Sequence, residues 1–334
     1  MKCLEKSPSR RYASARELGD DLDRYIRGGP IVAVPLSEAE RLARRAARDG
    51  FTIVGEIGRG PRSTVYRATH GPLQQPAALK VYTPGLCPRD EWDNRLRRGA
   101  EQWTALTHPN VVLPQRSGWW DGAPFVAGEF VPQGSLADRL REGRYSVRQA
   151  LELVGQLAEI VSYLHRQGVV HGNLKPSNVL LSADGIARLT DFHPTGGLFQ
   201  GPLPSGDGDP AGLGYLAPEF ASDQPAEPSP TADVYGLGAI LYELVTGRPP
   251  LAGVDARQLL EQVHTQEPPP PSTLNPKATP EINFLCWRCL RKNPYRRFFR
   301  VYDLSIRLRR LLEQPESVAE LEGRRPRRGP PERS

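Results

Sequence analysis

Side chains able to do chemistry gather in a few short strings. HGNLKPSNVLL (171–181) brings His171, Asn173, Lys175 and Asn178 close together, DFH (191–193) follows, and APE (217–219) lies beyond. GRGPRSTV (58–65) puts Gly58 and Gly60 in a turn between two apolar runs. Such a turn either closes a hairpin or lets backbone N–H groups approach a phosphate. Taken singly, each polar residue here is as well suited to a helix cap or a surface charge. Cys286 and Cys289 have CxxC spacing. No second Cys or His pair stands near to complete a tetrahedral zinc site, so core thiols are expected.

Strands and helices must position these strings. FTIVGEIGRGPRSTV (51–65) reads as a strand, a glycine turn and a second strand, and AALKVY (77–82) reads as a third. A charged helical stretch (90–106) comes next, and VVLP (111–114) and APFVAGEFV (123–131) continue the sheet. The chain then becomes helical. VRQALELVGQLAEIVSYLHRQG (147–168) has apolar residues at three- and four-residue spacing, and ADVYGLGAILYELVTG (232–247) reads as a second apolar helix; both end on a glycine. The Pro-rich QEPPPPSTLNPKATP (266–280) is expected to be an extended connection.

Bulk composition excludes several classes. With 334 residues, 38% hydrophobic and 25% charged, the chain has an ordinary globular balance and can bury a sizeable core. The net charge of +6 comes largely from arginines near both ends, so nucleic acid is not the expected partner. Four cysteines without a disulfide-like framework fit a reducing compartment, and cytoplasmic localisation is expected. No apolar run is long enough to cross a bilayer, and MKCLEKSPSR has no secretory apolar region.

Read together with Lys80 in AALK, HPNVV (108–112) and DVYGLG (233–238), the strings closely resemble the catalytic core of protein kinases of the bacterial Ser/Thr type, over residues 51–313. The resemblance implies an α+β, two-lobed fold, with a β-rich N-lobe (51–131) and a helical C-lobe (132–313). It implies ATP and Mg2+ as cofactors. It would place the nucleotide against Gly58, Gly60, Ser63, Val65, Ala78, Lys80, Glu129, Val131 and Leu180, the metal on Asn178 and Asp191, and Lys175 beside the transferred phosphate. By the same resemblance, Asp233 accepts bonds from catalytic-loop amides, and Glu219 forms a buried ion pair with Arg297 of NPYRRF (293–298).

Three departures set this sequence apart from the family. Asn173 stands where kinases carry the aspartate that takes the substrate hydroxyl proton, and an amide cannot act as that base. Gly99 stands where a helix glutamate pairs with the strand lysine. Glu101, two residues on, is turned about 200° away on a helix. His193 replaces the DFG glycine. Further losses are Gly172 in place of the arginine before the catalytic aspartate, and Gly212 where a threonine is frequent. Pro61 removes a donor from the glycine turn, and Gly128 at the gatekeeper position would open the pocket behind adenine.

These losses make a pseudokinase the expected function: a regulatory or interaction module that binds Mg-ATP and acts through protein contacts. Two rivals stay open, a weakly active Ser/Thr kinase and a nucleotide-free scaffold.

An internal repeat suggests the partner. CLEKSPSRRYASARELGDDLDRYI (3–26) aligns without gaps on CLRKNPYRRFFRVYDLSIRLRRLL (289–312). Residues 1–30 therefore resemble the C-terminal end of a second kinase domain, with 31–50 as a linker carrying a helix (37–50) and 314–334 as a disordered basic tail. The expected partner is an active Ser/Thr kinase domain encoded upstream. Leu18, Leu22 and Tyr25 would then lack their packing partners.

Overall fold

The computed structural model describes residues 12, 14–28, 38–86, 88–104, 106–192, 210–221, 229–253 and 255–313. His193, the following segment to residue 209 and the tail from 314 onward lie outside the described residues. Two compact units divide the chain, one made of residues 1–54 and 68–75, the other of 55–67 and 76–334.

In the first unit, α1 (Ala15–Ile26) begins at an N-cap where Ser14 accepts a hydrogen bond from the Glu17 amide. The second helix, α2 (Glu38–Arg48), buries Ala46. It carries glutamates in its first turn and arginines in its last, as the helix dipole favours. Phe51 is buried, its ring 4.6 Å from that of His70.

Five strands form one sheet: β1 (Phe51–Arg59), β2 (Ser63–His70), β3 (Gln75–Tyr82), β4 (Pro114–Trp120) and β5 (Ala123–Glu129), in the order β1-β2-β3-β5-β4. VVLP does not add a strand, contrary to its apolar pattern. Val111 makes one isolated parallel bridge to Leu189, and the sheet resumes only at Pro114. The Leu113–Pro114 segment instead turns toward β5, where the ladder is shifted between Pro114 and Arg116.

Between β3 and β4 lies α3 (Arg89–Trp103), anchored through its first half. Trp92 is fully buried, edge-on to Tyr82 at 4.9 Å and to Trp119 at 6.2 Å, and Trp119 Nε1 donates to Asp93 at 3.0 Å.

The helical region contains α4 (Leu136–Glu142), α5 (Val147–Arg166), α6 (Pro210–Leu213), α7 (Pro230–Thr246), α8 (Ala256–Thr265), α9 (Pro280–Cys289) and α10 (Val301–Glu313), with a small hairpin of β6 (Val179–Leu181) and β7 (Ala187–Leu189). A reciprocal capping box starts α5, Ser146 and Gln149 each bonding the other's amide. Its apolar stripe, including Leu151, Val154, Leu157 and Val161, packs on α7 and α10. α7 ends at Gly247, whose φ of 78° is the left-handed stop that glycine permits.

Two thiols and one ion pair are buried in this core. Cys286 and Cys289 are buried free thiols, and burial pushes Cys289 up to about 12. Arg297 lies fully buried and pairs both of its terminal nitrogens with Glu219 at 2.7 Å. Its remaining donors reach the carbonyls of Arg291, Thr231 and Lys292, so all five N–H groups are used. The APE segment is thereby tied to the last helices.

Candidate functional site

The catalytic-loop string wraps around one carboxylate. Asp233, on α7 and 1% exposed, accepts from the backbone N–H of His171 at 2.9 Å and of Gly172 at 2.7 Å. His165 Nε2 lies 2.7 Å from the same carboxylate. A Cβ at Gly236 would lie 2.7 Å from the Cβ of Leu174, so glycine there lets the loop press against α7. His171 is fully buried with its ring 4.6 Å from Phe192; burial lowers its pKa and favours the neutral imidazole.

From this base Asn173, Asn178 and Asp191 converge. Asn178 Nδ2 donates to the Asn173 carbonyl at 2.7 Å, which leaves its amide oxygen for another ligand. Asn173 Nδ2 in turn donates to Asp191, 3.2 Å from Oδ2 and 3.4 Å from the backbone oxygen. Asp191 itself has a φ of 62°, a region that non-glycine residues rarely adopt.

Lys80 reaches the same carboxylate from β3, its Nζ 2.7 Å from Asp191 Oδ1. Burial works against the charge on Lys80, but Asp191 more than offsets it and the pKa is raised. Gly99 is buried on α3 and Glu101 is exposed, so the helix offers Lys80 no carboxylate at either position. Lys175 Nζ lies 3.7 Å from where a Cβ of Gly212 would stand, at the edge of a small cleft also lined by Asn173, Tyr215 and Phe220.

The remaining expected residues sit on the sheet and its edge. In β3 Ala78 pairs with Gly128 of β5, Leu180 lies on β6, and Val131 is buried just past β5. Val65 lies on β2. A Cβ at Gly128 would be 3.1 Å from the Leu113 carbonyl oxygen, so the β4 backbone lies close beside the glycine. At the glycine turn, Gly60 N–H bonds the Ser63 carbonyl at 2.8 Å, and nothing lies within 4 Å of a Cβ at Gly58. Gly60 therefore spends its donor on the hairpin, and Pro61 has none to give.

One clamp had no signal in the sequence. Arg188 on β7 grips Glu129 through both nitrogens, at 2.6 and 2.7 Å, and lowers the Glu129 pKa. Two opposite charges so far apart in the chain announce themselves by no motif or period.

As a metal site, Asn178 and Asp191 offer the hard oxygen donors that suit magnesium, which takes its other ligands from phosphates and water. No group of three or more His, Cys, Asp or Glu that could hold a metal by itself exists among the described residues. The chemistry of this donor pair suits a hard divalent cation that takes its other ligands from elsewhere.

Comparison with known proteins agrees with this geometry. The family model for the protein kinase domain matches residues 51–301. Serine/threonine-protein kinase PknJ of Mycobacterium tuberculosis is 33% identical over 266 residues, covering 78% of this chain and 45% of the relative. PknB of Mycolicibacterium smegmatis is 29% identical over 272 residues, covering 78% and 43%. The chain spans less than half the length of these relatives.

Proposed function

The chain belongs to the protein kinase domain family, and from that premise we propose that it is a pseudokinase: a kinase fold that binds ATP and regulates a partner instead of transferring phosphate. The observation that carries this reading is Asn173. The residue at the base position turns an amide N–H toward Asp191 at 3.2 Å, and an amide nitrogen has no basic lone pair to take a hydroxyl proton. Loss of a general base typically costs roughly a hundred- to ten-thousand-fold in rate. The absence of a helix glutamate for Lys80 acts in the same direction, because the lysine rests on Asp191 instead.

ATP with magnesium, when bound, would supply the phosphate charge and the transferable phosphoryl group. Lys80 would meet the phosphates, Asn178 and Asp191 would hold the metal, and Ala78, Leu180 and Val131 would enclose the base. Melting the full chain with and without Mg-ATP tests this. A rise in Tm that Lys80→Ala removes is expected, and no rise at saturating nucleotide would favour a scaffold that binds none.

The proposed partner is a second Ser/Thr kinase domain, in the cytoplasm. What supports it is that the same two aligned positions touch in both copies of the repeat, through different chemistry. Tyr12 and Asp21 align on Phe298 and Arg307. The first pair is joined by a 2.8 Å hydrogen bond, and in the second the guanidinium sits 5.6 Å from the ring centroid. Leu308 is fully buried and Leu311 is 4% exposed, whereas their counterparts Leu22 and Tyr25 are 52% and 70% exposed; Leu18, the counterpart of the buried Leu304, is half-buried. The Leu22–Tyr25 part of α1, which aligns on a buried face of α10, is thus exposed among the described residues. Reading the DNA ahead of Met1 for an in-frame catalytic-loop aspartate and DFG motif tests the proposal, and their absence in every frame would contradict it.

A further inference from the structure

Asp191 is approached by donors at both carboxylate oxygens. Lys80 Nζ is 2.7 Å from Oδ1, and Asn173 Nδ2 is 3.2 Å from Oδ2. The Asn173 amide also reaches the Asp191 backbone oxygen at 3.4 Å, and so braces a residue whose φ of 62° needs support. An aspartate at 173 could make none of these bonds. It would set a second carboxylate about 3 Å from the first, where the two like charges repel and a cation would offset the repulsion.

Charge arithmetic points the same way. Lys80 and Asp191 cancel beside a neutral Asn173, where an aspartate at 173 would leave the three with one negative charge. A polyanionic ligand entering beside this trio therefore meets no net negative charge that a metal would have to neutralise.

We infer that Asn173 takes over the bracing role of a divalent cation, so that Asp191 is held without metal and the site accepts a nucleoside triphosphate without magnesium. The nucleotide half of this inference rests on the ATP-binding reading above. The bracing half does not, because it concerns the protein alone. Lys80 then does double duty, neutralising Asp191 and facing the phosphates. Asn178, with its amide oxygen left for a ligand, remains able to hold an ion without requiring one.

The test compares the full chain with Asn173→Asp and Asn173→Ala by thermal melting and by ATP titration, in EDTA and in millimolar Mg2+. For the parent, the ATP dissociation constant should agree within about threefold in the two buffers, and Mg2+ alone should leave Tm unchanged. For Asn173→Asp, affinity in EDTA should fall by about tenfold or more and return with Mg2+, and Mg2+ alone should raise Tm. Asn173→Ala removes the bond without adding charge, so it should melt lower in both buffers and gain no Mg2+ response. If the parent binds ATP only with Mg2+, or if Asn173→Asp is indifferent to the metal in both readouts, the inference is overturned. Should no variant bind ATP, the nucleotide half fails along with the ATP-binding reading. The Tm response of Asn173→Asp to Mg2+ alone then decides the bracing half.

Discussion

Arg297 has five N–H donors and uses all of them, two on Glu219 and three on backbone carbonyls. Removing one partner of such a pair leaves a buried charge without compensation. Glu219→Ala should therefore cost about 3–5 kcal/mol, read as a lower urea midpoint with an unchanged slope. His171 makes a second claim at this scale. Burial lowers its folded pKa, so the unfolded chain binds the extra proton first. This contribution is intact above the unfolded value of about 6.5 and is lost as pH falls below it. Melting temperature should drop between pH 7.5 and 5.5, and less steeply in His171→Phe. The Glu219–Arg297 pair and the Asp233 bonds were legible in the sequence because they belong to motifs at fixed spacing. The Arg188–Glu129 clamp was not, since only the folded chain brings β7 beside the end of β5.

Helices carry the site through close approach. A Cβ at Gly238 would lie 2.3 Å from the Cβ of Cys289, so α7 and α9 touch where glycine leaves room. Gly238→Ala should destabilise by about 1–3 kcal/mol through overpacking, checked by urea unfolding. Breaking the α5 capping box with Ser146→Ala should cost about 0.5–2 kcal/mol in the same assay. Elements this long declare themselves: α5 and α7 follow from many turns of apolar residues and a glycine stop. The three-residue strands β6 and β7 hold too few residues for a period to register. VVLP misled for a related reason. Its apolar run is buried, but against Leu189 and not as a sheet strand.

At the scale of the molecule, the contacts that maintain the fold stand apart from the position where kinases carry their base. The buried Arg297 pair, the Asp233 anchor and the packed α5–α7–α10 core are complete. The base position holds an amide, and the strand lysine leans on Asp191. No helix among the described residues is long and apolar enough to cross a membrane. The repeat differs in its packing, for α1 exposes Leu22 and Tyr25 where α10 buries Leu308 and Leu311. Incubating the full chain with radiolabelled ATP, magnesium and a general protein substrate measures the central claim. A pseudokinase should give incorporation no greater than Lys80→Ala gives. Magnesium-dependent label transfer that Lys80→Ala abolishes would contradict it.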